Sequence, residues 1–332
     1  MALIRIVRDG SIAERSNDLA TAWSALEELN TIVWFGVTAQ ELPQLTDRLQ
    51  LHAHAVEDAT KPRDTMEFGQ RTKLDRYPAQ VFLHLYLTEL ARDGDLMLRA
   101  ISVFATPRFV VVVREEGSYD PDEVAARWSE HPEMAKHGTM GLLHALLDLV
   151  VDSHLATVDA ISDRVDTMED LLFDGAADVD EDTRTLQRGS YATRKSLVRL
   201  RRIAQPMREL VGSIMRSEPD DTTPVDATIQ PYYQDLYDHV LRVNDSIEGL
   251  RDLLTTMYET RLAMADHTLN TVMKKLTGWA AIIAVITAVT GFYGQNVPYP
   301  GFLRPWGFWT STLVWLGMSV GLFVFLRRRR WI

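Results

Sequence analysis

The nonapeptide Thr290-Gly291-Phe292-Tyr293-Gly294-Gln295-Asn296-Val297-Pro298 closes the first of two long apolar stretches near the end of the chain. Leu276 to Leu303 contains no charged residue, and neither does Pro305 to Leu326. A helix needs about 20 apolar residues to cross a hydrocarbon core of about 30 Å, so each stretch is long enough. Lys274 and Lys275 precede the first stretch and Arg327 to Arg330 follow the second. Basic clusters stay on the cytoplasmic side. The spacing therefore predicts membrane helices over about 276–294 and 309–326, an external loop over 295–308, and both termini in the cytoplasm. Trp306, Phe308 and Trp309 are placed to anchor at the outer interface, Trp279 and Trp331 at the inner one. Two helices cannot enclose a pore, so a water-filled path requires several copies around an axis.

The remainder has no membrane character. With 332 residues and 46% hydrophobic content, the chain is large enough for two domains and a membrane part. It has no cysteine, which excludes disulfides, thiolate metal sites and cysteine nucleophiles. The net charge of −11 hides an asymmetry. Five of the 35 basic residues and none of the 46 acids lie after Lys275, so residues 1–275 carry 30 − 46 = −16. Such a surface concentrates cations and does not attract nucleic acid. Met1 to Gly10 lacks the apolar core of a signal peptide, so the large part is expected in the cytosol and the protein in the inner membrane. An enzyme is not expected, because no P-loop, nucleophile elbow or zinc-protease helix motif is present.

Residues 1–140 alternate strand and helix signals. Thr31 to Gly36, Pro78 to Leu87, Leu96 to Ala105 and Arg108 to Arg114 read as strands, and Ala39 to Ala55 has helical spacing. This predicts an α+β cytosolic domain with a mostly antiparallel or mixed sheet. Residues 141–275 then read as a helical stalk. Leu142, Leu143, Leu146, Leu147, Val150, Val151, His154, Val158, Ile161, Val165 and Met168 form one apolar stripe among aspartates. Asp174 to Asp182 reads as a turn, and a helix basic in its middle runs from about Glu181 to Arg216. Opposite charge predicts that these two helices lie side by side. Ser217 to Pro224 is a loop by composition. From Tyr232 to Tyr293 only lone glycines interrupt the pattern, which predicts one helix of about 90 Å at 1.5 Å per residue. Residues 276–332 complete the chain as the membrane part.

At this point the residues resemble the CorA family of magnesium and cobalt channels, a two-transmembrane group marked by a Gly-X-Asn signature. The resemblance rests on Lys275-Leu276-Thr277, Gly291-Phe292-Tyr293-Gly294-Gln295-Asn296, Arg327 to Trp331, Leu142 to Asp148 and Leu51 to Ala59. It implies a homopentamer in which a cytosolic α/β/α sandwich feeds a funnel of long helices, with the first membrane helix lining the pore. Two departures stand out. The middle signature residue, usually Met, is Gln295, and the external loop has no acid. The second bears on the loading of cations by loop carboxylates.

Helices around a fivefold axis favour a repeat near 3.5 residues. Counting back from Asn296 and Gly294 gives Gly291, Thr287, Ala284, Ala280, Thr277 or Leu276, Met273, Asn270, Asp266, Ala263 or Leu262, and Glu259. By resemblance Asn296, Thr287, Asn270 and the Met273/Leu276 pair match pore positions. Mg²⁺ prefers six oxygen ligands and releases its waters reluctantly. A ring of carboxamides at Gly294-Gln295-Asn296 accepts hydrogen bonds from those waters, whereas a ring of carboxylates would hold the ion too tightly to let it leave. Met273 and Leu276 read equally as interhelical core or as an apolar constriction. Regulatory Mg²⁺ between protomers is expected at Glu259, with Asp266 and Asp235 as further candidates. The expected function is a pentameric channel for Mg²⁺, with Co²⁺ or Ni²⁺ as further cargo, its partners being further copies of itself, the lipid bilayer and the ions. A Zn²⁺ transporter similar to the family's ZntB branch is the alternative, and a membrane-tethered scaffold a more remote one. The row offers none of the imidazole or thiolate ligands that zinc prefers.

Overall fold

The computed structural model describes residues 2–60, 72–115, 119–130, 132–173, 181–217, 225–295, 298 and 301–332. The acidic turn expected after Asp174, the loop expected before Pro224 and the signature residue Asn296 lie outside them, in whole or in large part. Two compact units divide the chain, Met1–Leu254 and Thr255–Ile332.

The first unit begins with a hairpin of β1 (Leu3–Arg8) and β2 (Ser11–Ser16), turned by Asp9 and Gly10 at φ 48° and 74°. Both central residues of a tight hairpin turn need positive φ, and Asp-Gly supplies it. The sheet continues with β3 (Thr31–Val37), β4 (Lys73–Tyr77), β5 (Gln80–Leu90), β6 (Leu96–Ala105) and β7 (Phe109–Arg114), in the order β2-β1-β3-β7-β6-β5-β4. Among the described residues only β3 and β7 pair in parallel; the other pairings are antiparallel, so the sheet is mixed.

One face is covered by α1 (Leu19–Glu27), α2 (Pro43–Thr46) and α3 (Ala53–Thr60), whose Ala22, Leu45 and Ala55 join Ile4, Phe35, Phe82, Phe104 and Val111 in one core. Ala39 to Ala55 is therefore not the single helix its spacing predicts. Gln50 adopts φ 51° and the Leu51 amide donates to the Thr46 carbonyl at 3.0 Å, which ends the helix and lets both Leu49 and Leu51 reach the core. A left-handed residue interrupts α-helical hydrogen bonding, and no glycine marked this one.

The other face of β5 packs on α6 (Thr139–Phe173). Buried on both faces, β5 reads as a nearly continuous apolar run rather than an alternation. α4 (Pro121–Glu130) and α5 (Pro132–Lys136) precede α6, and α7 (Glu181–Met215) and the long α8 (Gln230–Tyr293) follow it. The architecture is the expected α/β/α sandwich continued by long helices. α6 and α7 pack together, as at Met168 and Ser190, 3.7 Å apart. Their charges, however, do not pair with each other among the described residues. Asp148 and Asp152 of α6 hold Arg127 of α4 at 3.0 and 2.5 Å, while Arg201 of α7 holds Glu248 of α8 at 2.7 Å. Asp148, Asp152 and Arg201 are thus paired with third elements rather than with each other.

The second unit holds the C-terminal part of α8 and α9 (Pro305–Arg328). Among the described residues three helices, α6, α8 and α9, are long and apolar enough to cross a bilayer. They differ in where the apolar window goes: 67% of it is buried in α6 but only 11% in α8 and in α9. The stripe of α6 is core, whereas the other two windows are uncovered.

Candidate functional site

Within the second unit α8 shows two faces. The first packs on α9 and the C-terminus. Gly278 and Ile282 are buried there, and a Cβ at Gly278 would approach Ile332 Cγ1 to 2.9 Å. The Trp279 and Phe323 rings lie 6.3 Å apart. Val285, Ile286, Val289 and Tyr293 continue this side as half-buried residues.

Residues two apart on a helix point about 200° apart. Ala280, Ala284, Thr287, Gly291 and Gly294 therefore lie opposite the packed face, and all are exposed. Below them Asn270, Met273 and Leu276 are exposed too, the last two at 58% and 64%. Asn270, Met273 and Leu276 lie where every side of α8 is exposed, whereas from Ala280 to Gly294 the residues the helical repeat placed in one row share a face that α9 leaves uncovered. It is lined by small or neutral groups, in contrast to neighbouring Ile283 and Phe292, which are large and also exposed.

The Thr287 hydroxyl donates to the Ile283 carbonyl at 3.0 Å, a common intrahelical bond. Its remaining capacity is as an acceptor, which suits a metal-bound water and not an anion. α8 closes at Gly294, whose amide donates to the Thr290 carbonyl at 2.9 Å, and Gln295 follows as an exposed residue. A Cβ at Gly294 would meet that carbonyl at 3.2 Å, a tight contact.

The loop beyond it returns to the mouth of α8. Gly301, at φ 92°, and Gly307 approach so closely that a Cβ on Gly307 would lie 2.4 Å from the Gly301 carbonyl oxygen. This fold places Arg304 with Thr290, Tyr293 and Gly294 around a cleft of about 370 Å³. Sequence reasoning passed over Arg304, because the intervening residues give no sign that the chain turns back.

The regulatory candidates are scattered. Glu259 and Asp266 are exposed on α8 in the second unit, and Asp235 is exposed in the first. Among the described residues no three His, Asp or Glu side chains of one chain cluster as a metal site. His52 and His54 have rings 5.5 Å apart, closer than two residues of one helix allow, because His52 precedes α3. Its ring stacks on Tyr77 at 3.9 Å, a packing role.

The first unit carries a buried polar network that the sequence did not announce. His84 bonds Ser102 Oγ at 2.8 Å and the Tyr86 hydroxyl at 3.0 Å, and His154 bonds the Tyr86 carbonyl at 2.9 Å. Thr88 bonds Thr157 at 2.8 Å beside them. Desolvation lowers both histidines to about 4, with Lys73 adding to the effect at His84. They are neutral pins between β5, β6 and α6.

An α/β/α unit followed by two apolar helices, one of them carrying a neutral polar row, suits a membrane transport protein. The family described as CorA-like Mg²⁺ transporter protein matches residues 30–328, and the chain belongs to that family of divalent-cation transporters. A cobalt/magnesium transport protein CorA of Thermotoga maritima is 25% identical over 311 residues, covering 91% of this chain and 84% of that one. A zinc transport protein ZntB of Pectobacterium carotovorum is 24% identical over 254 residues, covering 73% and 70%. The complete CorA magnesium transporter of Methanocaldococcus jannaschii matches in fold with a TM-score of 0.74 at 18% identity, covering 100% and 99% of the two chains.

Proposed function

We propose that the protein is a homopentameric Mg²⁺ channel of the inner membrane, with both termini in the cytoplasm. In this reading residues 1–140 are a cytosolic α/β domain, 141–275 a stalk, and 276–332 two membrane helices around the loop 295–308. The observation that carries it is the uncovered face of α8, opposite the one packed on α9 and lined by Ala280, Ala284, Thr287 and Gly291. Five such faces around an axis would enclose a path that accepts hydrogen bonds from a hydrated dication without stripping it.

Gly294, Gln295 and Asn296 would select the ion at the outer end, and Thr287 would repeat the contact lower down. Met273 and Leu276 would close the inner end by dewetting, and Asn270 would meet the ion beyond it. Five copies of the acidic part bring together roughly 80 negative formal charges, which Mg²⁺ between protomers at Glu259, Asp266 or Asp235 would offset. Loss of those ions would let the helices separate and the constriction open. Co²⁺ and Ni²⁺ fit the same oxygen ligands.

Flux into proteoliposomes loaded with a Mg²⁺ indicator tests this. The unsubstituted chain should conduct, Asn296→Ala should lose flux with the pentamer intact, and Glu259→Lys should stay open at high internal Mg²⁺. An intact pentamer impermeable to every dication would support a scaffold instead. A second reading, zinc transport, is favoured by the ZntB relative. Uptake of ⁶⁵Zn²⁺ exceeding Mg²⁺ flux, and rising with a proton gradient, would select it.

A further inference from the structure

The cleft at the mouth of α8 holds a charge that works against the loading of cations. Arg304 is exposed, lines that cleft between the end of α8 and the start of α9, on the Tyr293 side and not on the row itself, and has no acidic partner among the described residues. None is near in sequence either, for Asp266 is the last acid of the chain. Its backbone is fixed. The Arg304 amide donates to the Gly301 carbonyl at 3.1 Å, its own carbonyl accepts from the Gly307 amide at 3.0 Å, and Pro305 opens α9. We infer that Arg304 makes the outer mouth cation-repelling, so that this transporter loads dications poorly from outside and passes them outward more readily than inward. The inference rests on the proposed assembly of copies around the α8 face.

The competing local charges can be summed. The C-terminal end of α8 carries about −0.5 elementary charge, and the N-terminal end of α9 about +0.5. These offset each other, which leaves the full positive charge of Arg304 on each copy. Across the assembled copies the field acts twice over on a doubly charged ion. Its reach is set by salt: about 8 Å at 0.15 M and about 30 Å at 0.01 M. Occupancy of the entrance by Mg²⁺ should fall several-fold at physiological salt and on the order of tens of times at about 0.01 M. Amides at the mouth still recognise the water shell. What changes is how often an ion reaches them.

The test uses the full-length protein in planar bilayers, with orientation fixed by one-sided addition, and currents read at both voltage polarities. Without any substitution, an impermeant salt added to the external side at constant Mg²⁺ should raise inward current several-fold. An acidic mouth gives the opposite sign. Arg304→Gln should lower the external Mg²⁺ needed for half-maximal inward current by a factor on the order of tens at about 0.01 M salt, with little change at about 0.5 M. Arg304→Lys should retain the original behaviour, and outward current should stay within about twofold in all three. Inward current that falls with salt, or an Arg304→Gln variant that conducts without the shift, overturns the inference and leaves the transport reading standing. Absence of current in every form overturns both. If Arg304→Gln fails to assemble, the sign of the salt effect on the unsubstituted protein still decides.

Discussion

In the unit Met1–Leu254 the large side chains Trp34, Phe35, Phe82 and Phe104 are less than 2% exposed, whereas in Thr255–Ile332 Leu262, Leu269, Leu276 and Phe308 are more than half exposed. The first unit closes its own core, with a mixed sheet between two helical layers and a polar network satisfied by its own chain. The second leaves its apolar surface to be covered by something else. Uncovered patches of that extent mark contact with lipid or with further protein. One chain therefore contains a part whose stability is its own and a part whose stability belongs to its surroundings. Substitutions in the two parts should behave accordingly.

The largest effect is expected in the closed core. Phe104 is fully buried between β6 neighbours and the ring of Phe82, whose centroid lies 5.0 Å away. Phe104→Ala should destabilise the first unit by about 3–5 kcal/mol, from lost transfer energy and the cavity left behind. Denaturant unfolding of the detergent-solubilised protein, followed by near-UV circular dichroism, measures it. A loss under about 1 kcal/mol would mean that this core is not the cooperative unit described here.

Next comes the response to acid. Burial holds His84 and His154 at about 4, below the ordinary value of 6.5. As pH falls below 6.5 the unfolded chain takes up protons that the native state refuses. Stability is thus lost from 6.5 down to about 4, after which these groups contribute no further slope. By linkage each histidine should remove about 2 kcal/mol between about pH 7 and about pH 5. Unfolding midpoints at the two pH values, with His154→Gln halving the difference, check this. A flat profile would place ordinary, solvated imidazoles at these positions.

Legibility in the sequence follows the same division. The strand expected over Leu96 to Ala105 coincides with β6, where burial enforces an apolar pattern; the limits of α7 and α8 also fall within two residues of expectation, and for the largely uncovered α8 it is the absence of helix breakers that shows them. β4, Lys-Leu-Asp-Arg-Tyr, was unreadable: it is an edge strand whose polar residues pair with each other, Lys73 and Asp75 at 2.6 Å. The β1–β2 hairpin could have been found, since Asp9-Gly10 is its turn signal. On α8 the repeat alone grouped Met273 to Gly294 on one side. That α9 packs on the opposite side depends on Gly278 admitting Ile332, a tertiary fact with no periodic trace. Arg304 escaped notice for a similar reason, because its meaning comes from the return of the loop at Gly301.

The smallest effect on stability should come from the uncovered row, and this sharpens the contrast most. Leu276 is an apolar residue at 64% exposure, so in the single chain its side chain contributes little. Leu276→Ala should change denaturant stability of the first unit by no more than about 0.5 kcal/mol, as surface substitutions do. Its effect should appear in flux instead. If Leu276 rings a constriction as proposed, a smaller side chain there admits water more readily, so resting Mg²⁺ leak into proteoliposomes should rise several-fold. The pair of readings separates the two ways in which a leucine can be exposed. Should the substitution unfold the first unit, the two parts would be one cooperative structure. Should the leak stay flat while the pentamer weakens, Leu276 would be interhelical core and the constriction would lie elsewhere on the same face.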